Sequence, residues 1–296
     1  VIIALGGGSP IDTAKAIVAI YGQIHPDRKK LAFYAIPTTS GTGSEVTDYA
    51  VLSGNNRGLK YPMASTDMRP QVAVLAPELV VSAPPGITAD TGMDVLTHAI
   101  EALVSNQAND FSDALAEKSV SITCKFLPLA YENGQDMLAR EEMHCASCLA
   151  GMAFNSAGLG LTPAIAHAVG GLLHIPHGRI NAMLLPLVME FNADMDKPPH
   201  DEELYSLAAK KYSRLARIQE LPVPSIFVGV NNLLREVRKL SARLHVPAPL
   251  KECGIDPQPA REHRQAIASA ALADSAIVPN PRPVSAQDIE AILDKL

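Results

Sequence analysis

The sequence is poor in the residues that build disulfide scaffolds and aromatic pockets. It contains no tryptophan, and aromatic residues make up 4 % of its 296 positions, so residue content alone leaves the shape of any binding pocket open. The four cysteines are too few for a disulfide framework. Cys145 and Cys148 form a C-x-x-C pattern, but they lie in a segment of helical periodicity and no second pair completes a zinc knuckle. We therefore expect small core cysteines and a reducing, cytoplasmic environment.

The sequence also lacks a basic cluster and a long apolar run. The formal net charge is −6, which argues against nucleic-acid binding. No apolar stretch approaches the length of a membrane span, and no signal-peptide pattern is present, so we expect no membrane partner. With 47 % apolar and 19 % charged residues, the composition is that of an ordinary enzyme, and the length suits two domains.

The hydrophobic patterning divides the chain into two parts. Residues 1–82 alternate short apolar runs with helical stretches, which predicts an α/β domain with a parallel sheet. Residues 83–296 have helical periodicity in almost every segment, which predicts an all-helical domain with a cleft between the two. The chain opens directly on VIIALGGGS, a buried-strand pattern, and we interpret this start as the mark of an incomplete α/β domain that lacks a leading segment.

Two glycine-containing loops follow predicted strands. In ALGGGSPIDTAKAI, three glycines precede a helix, where Ser9 is expected to cap and Pro10 to occupy the first turn. The second loop, IPTTSGTGSEVT, adds hydroxyl groups and two further glycines. Either loop alone could be purely structural, and neither matches a standard nucleotide-binding fingerprint. Together they favour a site for a pyrophosphate group.

Acidic and imidazole side chains mark a second site. Asp94 and His98 are four residues apart on one helical face, so they could share a cation or simply hydrogen-bond to each other. Three further histidines fall in LTPAIAHAVGGLLHIPHG, at His167, His174 and His177. Because neutral imidazole is a common metal ligand and is costly to bury without a partner, we favour a mixed Asp and His metal site.

These motifs carry a family resemblance. GGGSPIDTAKAI, PTTSGTGSEVT, TGMDVLTHAIEA and AIAHAVGGLLHIPHG resemble the iron-containing, group III alcohol dehydrogenases, and MAFNSAGLGL with PHGRINAMLLP resembles the branch used in ethanolamine and propanediol utilisation. The resemblance implies a dehydroquinate-synthase-like fold: an α/β nucleotide-binding domain followed by an all-helical metal-binding domain. It implies NAD(H) binding at Gly7, Gly8, Ser9, Asp12, Thr38, Thr39, Thr42 and Lys60. It implies Fe(II) or Zn bound by Asp94, His98 and His177.

The sequence departs from the family in two places. The missing leading segment carries an acidic residue that favours NAD over NADP in the family, so NADP is not excluded here. The family's remaining histidine ligand corresponds to Pro163, which has no ligating side chain. Thr162 and Pro163 themselves are typical of an N-cap and a first helical residue. We therefore expect a weakened metal site with reduced activity, and we assign His167 to proton relay or substitute ligation.

The resemblance implies an oxidoreductase that transfers hydride reversibly between NAD(H) and a short-chain primary alcohol or aldehyde. Two alternatives stay open at this point. One is a glycerol-dehydrogenase-type enzyme on the same fold, and the other is a catalytically weakened or silent relative that acts as an interaction subunit. We expect a homo-oligomer in either case.

Overall fold

The computed structural model describes residues 1–27, 29–53, 60–173, 175–195, 201–246 and 249–296. Three parallel strands form its main sheet, in the order β1 (Ile2–Gly6), β2 (Phe33–Pro37) and β5 (Val72–Ala73). Helix α1 (Gly8–Ile24) connects β1 to β2 and packs against the sheet through Ile11 and Val18. The predicted βαβ unit is therefore present.

The buried-strand prediction for the start of the chain holds for one face of β1 only. Ala4 is buried against α1, whereas Ile3 and Leu5 are 64 % and 58 % exposed. Val51 and Leu52 lie in a strand outside the parallel sheet. It belongs to an antiparallel pair formed by β3 (Tyr49–Ser53) and β4 (Lys60–Ala64).

The described residues after β5 are mainly helical, as the periodicity predicts. The long helices are α2 (Pro85–Val104), α3 (Asp110–Glu132), α4 (Met137–Ala157), α5 (Leu161–Leu173), α6 (His177–Ala193), α7 (Leu207–Ile218) and α8 (Ile226–Arg243). Three shorter ones follow: α9 (Gln258–Glu262), α10 (Arg264–Ala273) and α11 (Ala286–Leu293). The α/β part followed by a helical part confirms the predicted fold class. The boundary at residue 82 stays a prediction.

Two apolar cores hold the helical part together. One lies between α2, α3, α4, α7 and α8, and it buries Met93, Leu96 and Ile100 from α2. The other lies between α5, α6, α10 and α11, and it buries Ile165 and Ile180. Burying such aliphatic side chains stabilises the fold by about 1.5–3 kcal/mol each relative to full exposure. Helix α2 in the first core and helices α5 and α6 in the second carry the predicted site residues, so packing fixes their relative positions.

The length and apolar composition of the helices bear on whether any of them could cross a membrane. Within the described ranges no single helix is long and apolar enough to cross a membrane, although the bent pair α4 and α5 meets the length and composition test together. Seven of the 13 α5 residues are buried, and five of these belong to the second core.

The C-x-x-C pattern lies in α4, as predicted. Cys145 and Cys148 are both free thiols and are partly buried. Burial raises the pKa of the Cys148 thiol to about 12. A thiol with so high a pKa is a poor nucleophile and metal ligand, which agrees with a structural role.

Candidate metal centre and cofactor cleft

A cleft of about 530 Å³ lies between the α/β part and the helical part. Its α/β wall includes Gly8, Ser9 and Thr42 from the two glycine loops. Its helical wall includes Asp94, His98, Pro163, His167 and His177. The fold therefore brings the predicted nucleotide loops and the predicted metal residues to one cavity, which is large enough for a small-molecule site.

The first glycine loop is built by close contacts that only glycine allows. Gly6 has a φ of +151°, and a Cβ there would meet Pro10 Cγ at 2.6 Å. A Cβ on Gly8 would meet Thr42 Cγ2 at 2.9 Å, and one on Gly7 would meet Thr39 Oγ1 at 3.2 Å. The two loops are therefore packed directly on each other, and the start of α1 is held at the cleft.

The expectation that Ser9 caps α1 is wrong. The helix begins at Gly8, Gly7 is its N-cap residue, and no side chain accepts a hydrogen bond there. Ser9 lies inside the first turn, and its carbonyl accepts the hydroxyl of Thr13 at 2.8 Å. Because a side chain must precede the helix to cap it, glycine leaves these N–H groups to a ligand, as in anion sites at helix N-termini.

The remaining predicted cofactor residues lie at or behind this loop. Asp12 lines the cleft, but its carboxylate already accepts hydrogen bonds from Ser44 Oγ at 2.5 Å and from the Val51 N–H at 2.9 Å. Burial raises the Asp12 pKa, and those hydrogen bonds oppose the rise. Thr38 donates its N–H to the Gly6 carbonyl at 3.0 Å. The side chain of Lys60 lies outside the described part of the structure.

A buried lysine that sequence reasoning missed lies beneath the loops. Lys15 is fully buried on α1, and its Nζ donates to Thr47 Oγ1 at 2.8 Å and to the Tyr49 carbonyl at 2.6 Å. Burial lowers the Lys15 pKa to about 8, against the attraction of Asp12 and nearby acidic groups. This contact ties α1 to β3. In the sequence, Lys15 follows Ile11 and Asp12 by one helical turn, and this spacing could have indicated that Lys15 lies on the same, buried face of α1.

The three predicted metal residues meet at one point. The ligand atoms of Asp94, His98 and His177 all lie within 4.8 Å of one another. His98 Nε2 is 3.5 Å and His177 Nε2 is 3.9 Å from Asp94 Oδ1. Asp94 and His98 are buried on α2, and the His98 ring packs against Phe154 with a centroid distance of 4.9 Å. A surface hydrogen bond between Asp94 and His98 is therefore not the arrangement observed.

These residues suit a divalent cation. Zinc-type sites place ligands at about 2.0–2.2 Å from the metal, so two donors are at most about 4.4 Å apart, and this set needs to contract by only a few tenths of an ångström. Two imidazoles and one carboxylate are also the ligand types of open Fe(II) and catalytic zinc sites. The buried Nδ1 of His98 has no hydrogen-bond partner within the described residues. The donor set fits the implied metal.

His167 lies beside this set and has a partner of its own. Its Nδ1 is 2.7 Å from Asp274 Oδ2, and its ring stacks on His177 with a centroid distance of 4.9 Å and an interplanar angle of 14°. Burial raises the pKa of Asp274, but hydrogen bonds with His167 and the Ala276 N–H bring it below its usual value overall. Sequence reasoning missed Asp274, which comes from the loop after α10.

Pro163 lines the cleft, but its predicted helix boundary is wrong. Helix α5 begins at Leu161, one residue before the expected N-cap Thr162. The Thr162 N–H donates to Glu101 Oε1 at 2.8 Å, and the Leu161 N–H donates to Asn280 Oδ1 at 3.1 Å. Distant side chains thus satisfy the helix start, so Thr162 is not needed as a cap.

Known proteins match this arrangement along the whole chain. The family model described as iron-containing alcohol dehydrogenase matches residues 1–77, and the one described as Fe-containing alcohol dehydrogenase family, C-terminal, matches residues 88–296. The chain belongs to the iron-containing alcohol dehydrogenase family. This confirms the resemblance on which the sequence motifs were interpreted, and family membership implies an NAD(P) cofactor and an iron-type metal.

Individual members of this alcohol dehydrogenase family are close in sequence and structure. The chain is 46 % identical to 1-propanol dehydrogenase PduQ of Salmonella typhimurium, covering 100 % of this chain and 77 % of that protein. It is 39 % identical to the probable alcohol dehydrogenase EutG of Escherichia coli, covering 97 % and 70 %. A crystal structure of 1,3-propanediol oxidoreductase superposes with a TM-score of 0.86 at 32 % identity, covering 99 % and 75 %. The predicted branch of the family is thereby confirmed.

Proposed function

We propose that this chain catalyses reversible hydride transfer between NAD(H) and a short-chain primary alcohol or aldehyde, with a divalent metal at Asp94, His98 and His177. The observation that carries the proposal is the single cleft shared by the glycine loops and these three residues. A hydride can pass only between atoms in contact, so the nicotinamide C4 and the substrate carbon that bears the oxygen need such a common space. The relatives named 1-propanol dehydrogenase and 1,3-propanediol oxidoreductase support the substrate class.

The chain's own residues position the reactants. The N–H groups at the start of α1, beside Gly8 and Ser9, are oriented for a pyrophosphate. Asp94, His98 and His177 would hold Fe(II) or Zn, which acts as a Lewis acid toward the substrate oxygen when bound. The identity of the metal and the choice between NAD and NADP stay open predictions.

His167 is the residue to which we assign proton transfer. Its Nδ1 is hydrogen-bonded to Asp274, which leaves Nε2 as the atom that exchanges a proton. Its ring stands against that of His177 and lines the cleft, so it is close to the proposed substrate oxygen without being part of the metal triad. The structure therefore favours relay over substitute ligation.

The test replaces metal residues and measures metal content and turnover separately. Asp94→Asn and His98→Ala should each lower bound metal and NADH-linked reduction of propanal together, because the first removes the negative charge of a ligand and the second removes an imidazole donor. His263→Ala, an exposed histidine outside the cleft, is the matched control and should leave both unchanged. Full metal occupancy in both cleft variants would contradict the proposed site. Turnover of glycerol but not of propanal would favour the glycerol-dehydrogenase alternative. Turnover of neither compound would favour the catalytically silent alternative.

A further inference from the structure

Asn181 is a buried polar residue beside Asp94 and His177 that the proposed mechanism does not use. It lies on α6, one turn after His177, and is fully buried. Its Nδ2 lies 2.7 Å from Asp94 Oδ1 and 3.0 Å from His177 Nε2. Its Oδ1 is also buried and has no hydrogen-bond partner within the described residues. A buried amide oxygen without a hydrogen-bond partner lowers the stability of the folded protein, so a ligand that binds this oxygen would be stabilising.

The distances from Asn181 to two of the metal residues do not exceed the separation that donors around one cation can have. Donors that share a zinc-type cation are at most about 4.4 Å apart. The amide nitrogen of Asn181 meets that limit with both Asp94 and His177, as does Asp94 with His98 at 3.5 Å. The end of the Asn181 side chain is therefore close enough to Asp94 and His177 to share a cation with them.

A cation and the present amide orientation compete for the same imidazole. A neutral imidazole nitrogen has a single lone pair, so His177 Nε2 cannot accept the Asn181 amide and bind a metal at once. The terminal amide torsion of asparagine is broad and roughly two-fold, so a half-turn exchanges the positions of Nδ2 and Oδ1. Nδ2 then gives up its hydrogen bond to Asp94. After that half-turn, the unpartnered oxygen faces the ligand atoms of Asp94 and His177.

We propose that the Asn181 carboxamide oxygen is a fourth protein ligand of the metal, beside Asp94, His98 and His177. The inference rests on the proposed function, since it concerns the same cation. It accounts for the orphan oxygen, and it supplies a donor in a cleft where Pro163 offers none. Carboxamide oxygen is an accepted ligand for divalent cations. Coordination to the metal would give the buried oxygen the partner that it lacks.

The first experiment measures zinc affinity of the whole chain by chelator competition. Asn181→Leu keeps the branching and the number of side-chain heavy atoms but has no donor, and it should weaken zinc binding at least tenfold. Asn181→Asp keeps an oxygen and should bind zinc as tightly as the unchanged protein or more tightly. Asn231→Leu and Asn231→Asp, on an exposed face of α8, are matched controls and should change nothing. Unchanged affinity in a folded Asn181→Leu protein would overturn the inference.

A crystal structure of the unchanged, zinc-loaded protein is the second experiment, and it does not depend on how any variant folds. The expected result is Asn181 Oδ1 within about 2.3 Å of zinc. An amide that still donates Nδ2 to Asp94 and turns its oxygen away from zinc would overturn the inference, because Asn181 would then only orient Asp94. Zinc held by Asp94, His98 and His177 alone would leave the proposed function standing. Failure of the unchanged protein to bind zinc or iron would overturn both.

Discussion

Replacing Glu101 by glutamine should remove a pH dependence of stability that one buried carboxyl group creates. Glu101 lies on α2 and is 2 % exposed. Its Oε1 accepts the Thr162 N–H at the start of α5, while its Oε2 has no hydrogen-bond partner within the described ranges. Burial raises the Glu101 pKa to about 7 from the ordinary 4.5, although hydrogen bonds from Thr162 and Gly160 oppose the rise.

The sign follows from the protons bound in each state. Between pH 4.5 and about 7, the folded protein holds a proton on Glu101 that the unfolded chain has released. The free energy of unfolding therefore falls as the pH rises through this window. Glu101 contributes its full stabilisation below pH 4.5 and loses it above about pH 7. A difference of roughly 2.5 pH units corresponds to about 3 kcal/mol.

The assay is chemical unfolding of the unchanged protein and of Glu101→Gln from pH 4.5 to pH 8. Glutamine imitates the neutral carboxyl group and can still accept the Thr162 N–H. Relative to the unchanged protein, the free energy of unfolding of the variant should therefore rise by about 3 kcal/mol between pH 4.5 and pH 8. Glu78→Gln, at an exposed site, is the control and should give a constant difference. If the Glu101→Gln difference is also constant with pH, Glu101 is ionised throughout and the reasoning is refuted.

Two further changes test the cleft. Gly7→Val should weaken NADH binding at least tenfold, or about 1.4 kcal/mol, because its Cβ would lie 3.2 Å from Thr39 Oγ1 and force the loops apart. Calorimetric titration checks this, with Gly22→Ala as a control where an added Cβ meets no atom within 4 Å; equal NADH affinity in a folded Gly7→Val protein contradicts it. Pro163→His should raise metal affinity and propanal turnover by adding a donor to the cleft. Equal metal affinity and turnover in both proteins would mean that no ligand is lacking.

Local sequence patterns were sufficient for features that lie within one element. The four-residue spacing of Asp94 and His98 placed both side chains on one face of α2, and the structure has them there. Ser285 and Asp288 form a capping box at the start of α11, a pattern whose two partners are in the same turn. Such patterns depend on helix geometry alone, so they do not require the tertiary structure.

Contacts between residues that are distant in the chain could not be predicted from the sequence patterns. Asp274 meets His167 across 107 positions, and Glu101 meets Thr162 across 61. No periodicity connects such pairs, since their distance is set by how α2, α5 and the loop after α10 pack. The wrong cap at Thr162 has the same origin: the local pattern suggested a hydroxyl cap, whereas a carboxylate from another helix supplies the acceptor.

The position of His177 depends on how α6 packs against α2, which the four-residue spacing of Asp94 and His98 does not determine. A Cβ on Gly178 would lie 2.2 Å from the Asp90 carbonyl oxygen and 3.2 Å from Asp94 Cβ, so the start of α6 contacts the backbone of α2. Any larger residue at Gly178 must move α6 outward, because the atom in the way is backbone and cannot rotate aside. His177 and Asn181 would move with α6, and both now reach Asp94. The glycine in the IPHG motif therefore contributes to the proposed metal centre although it offers no ligand, because it allows the short distance between the imidazole on α6 and the carboxylate on α2 that a shared cation would require.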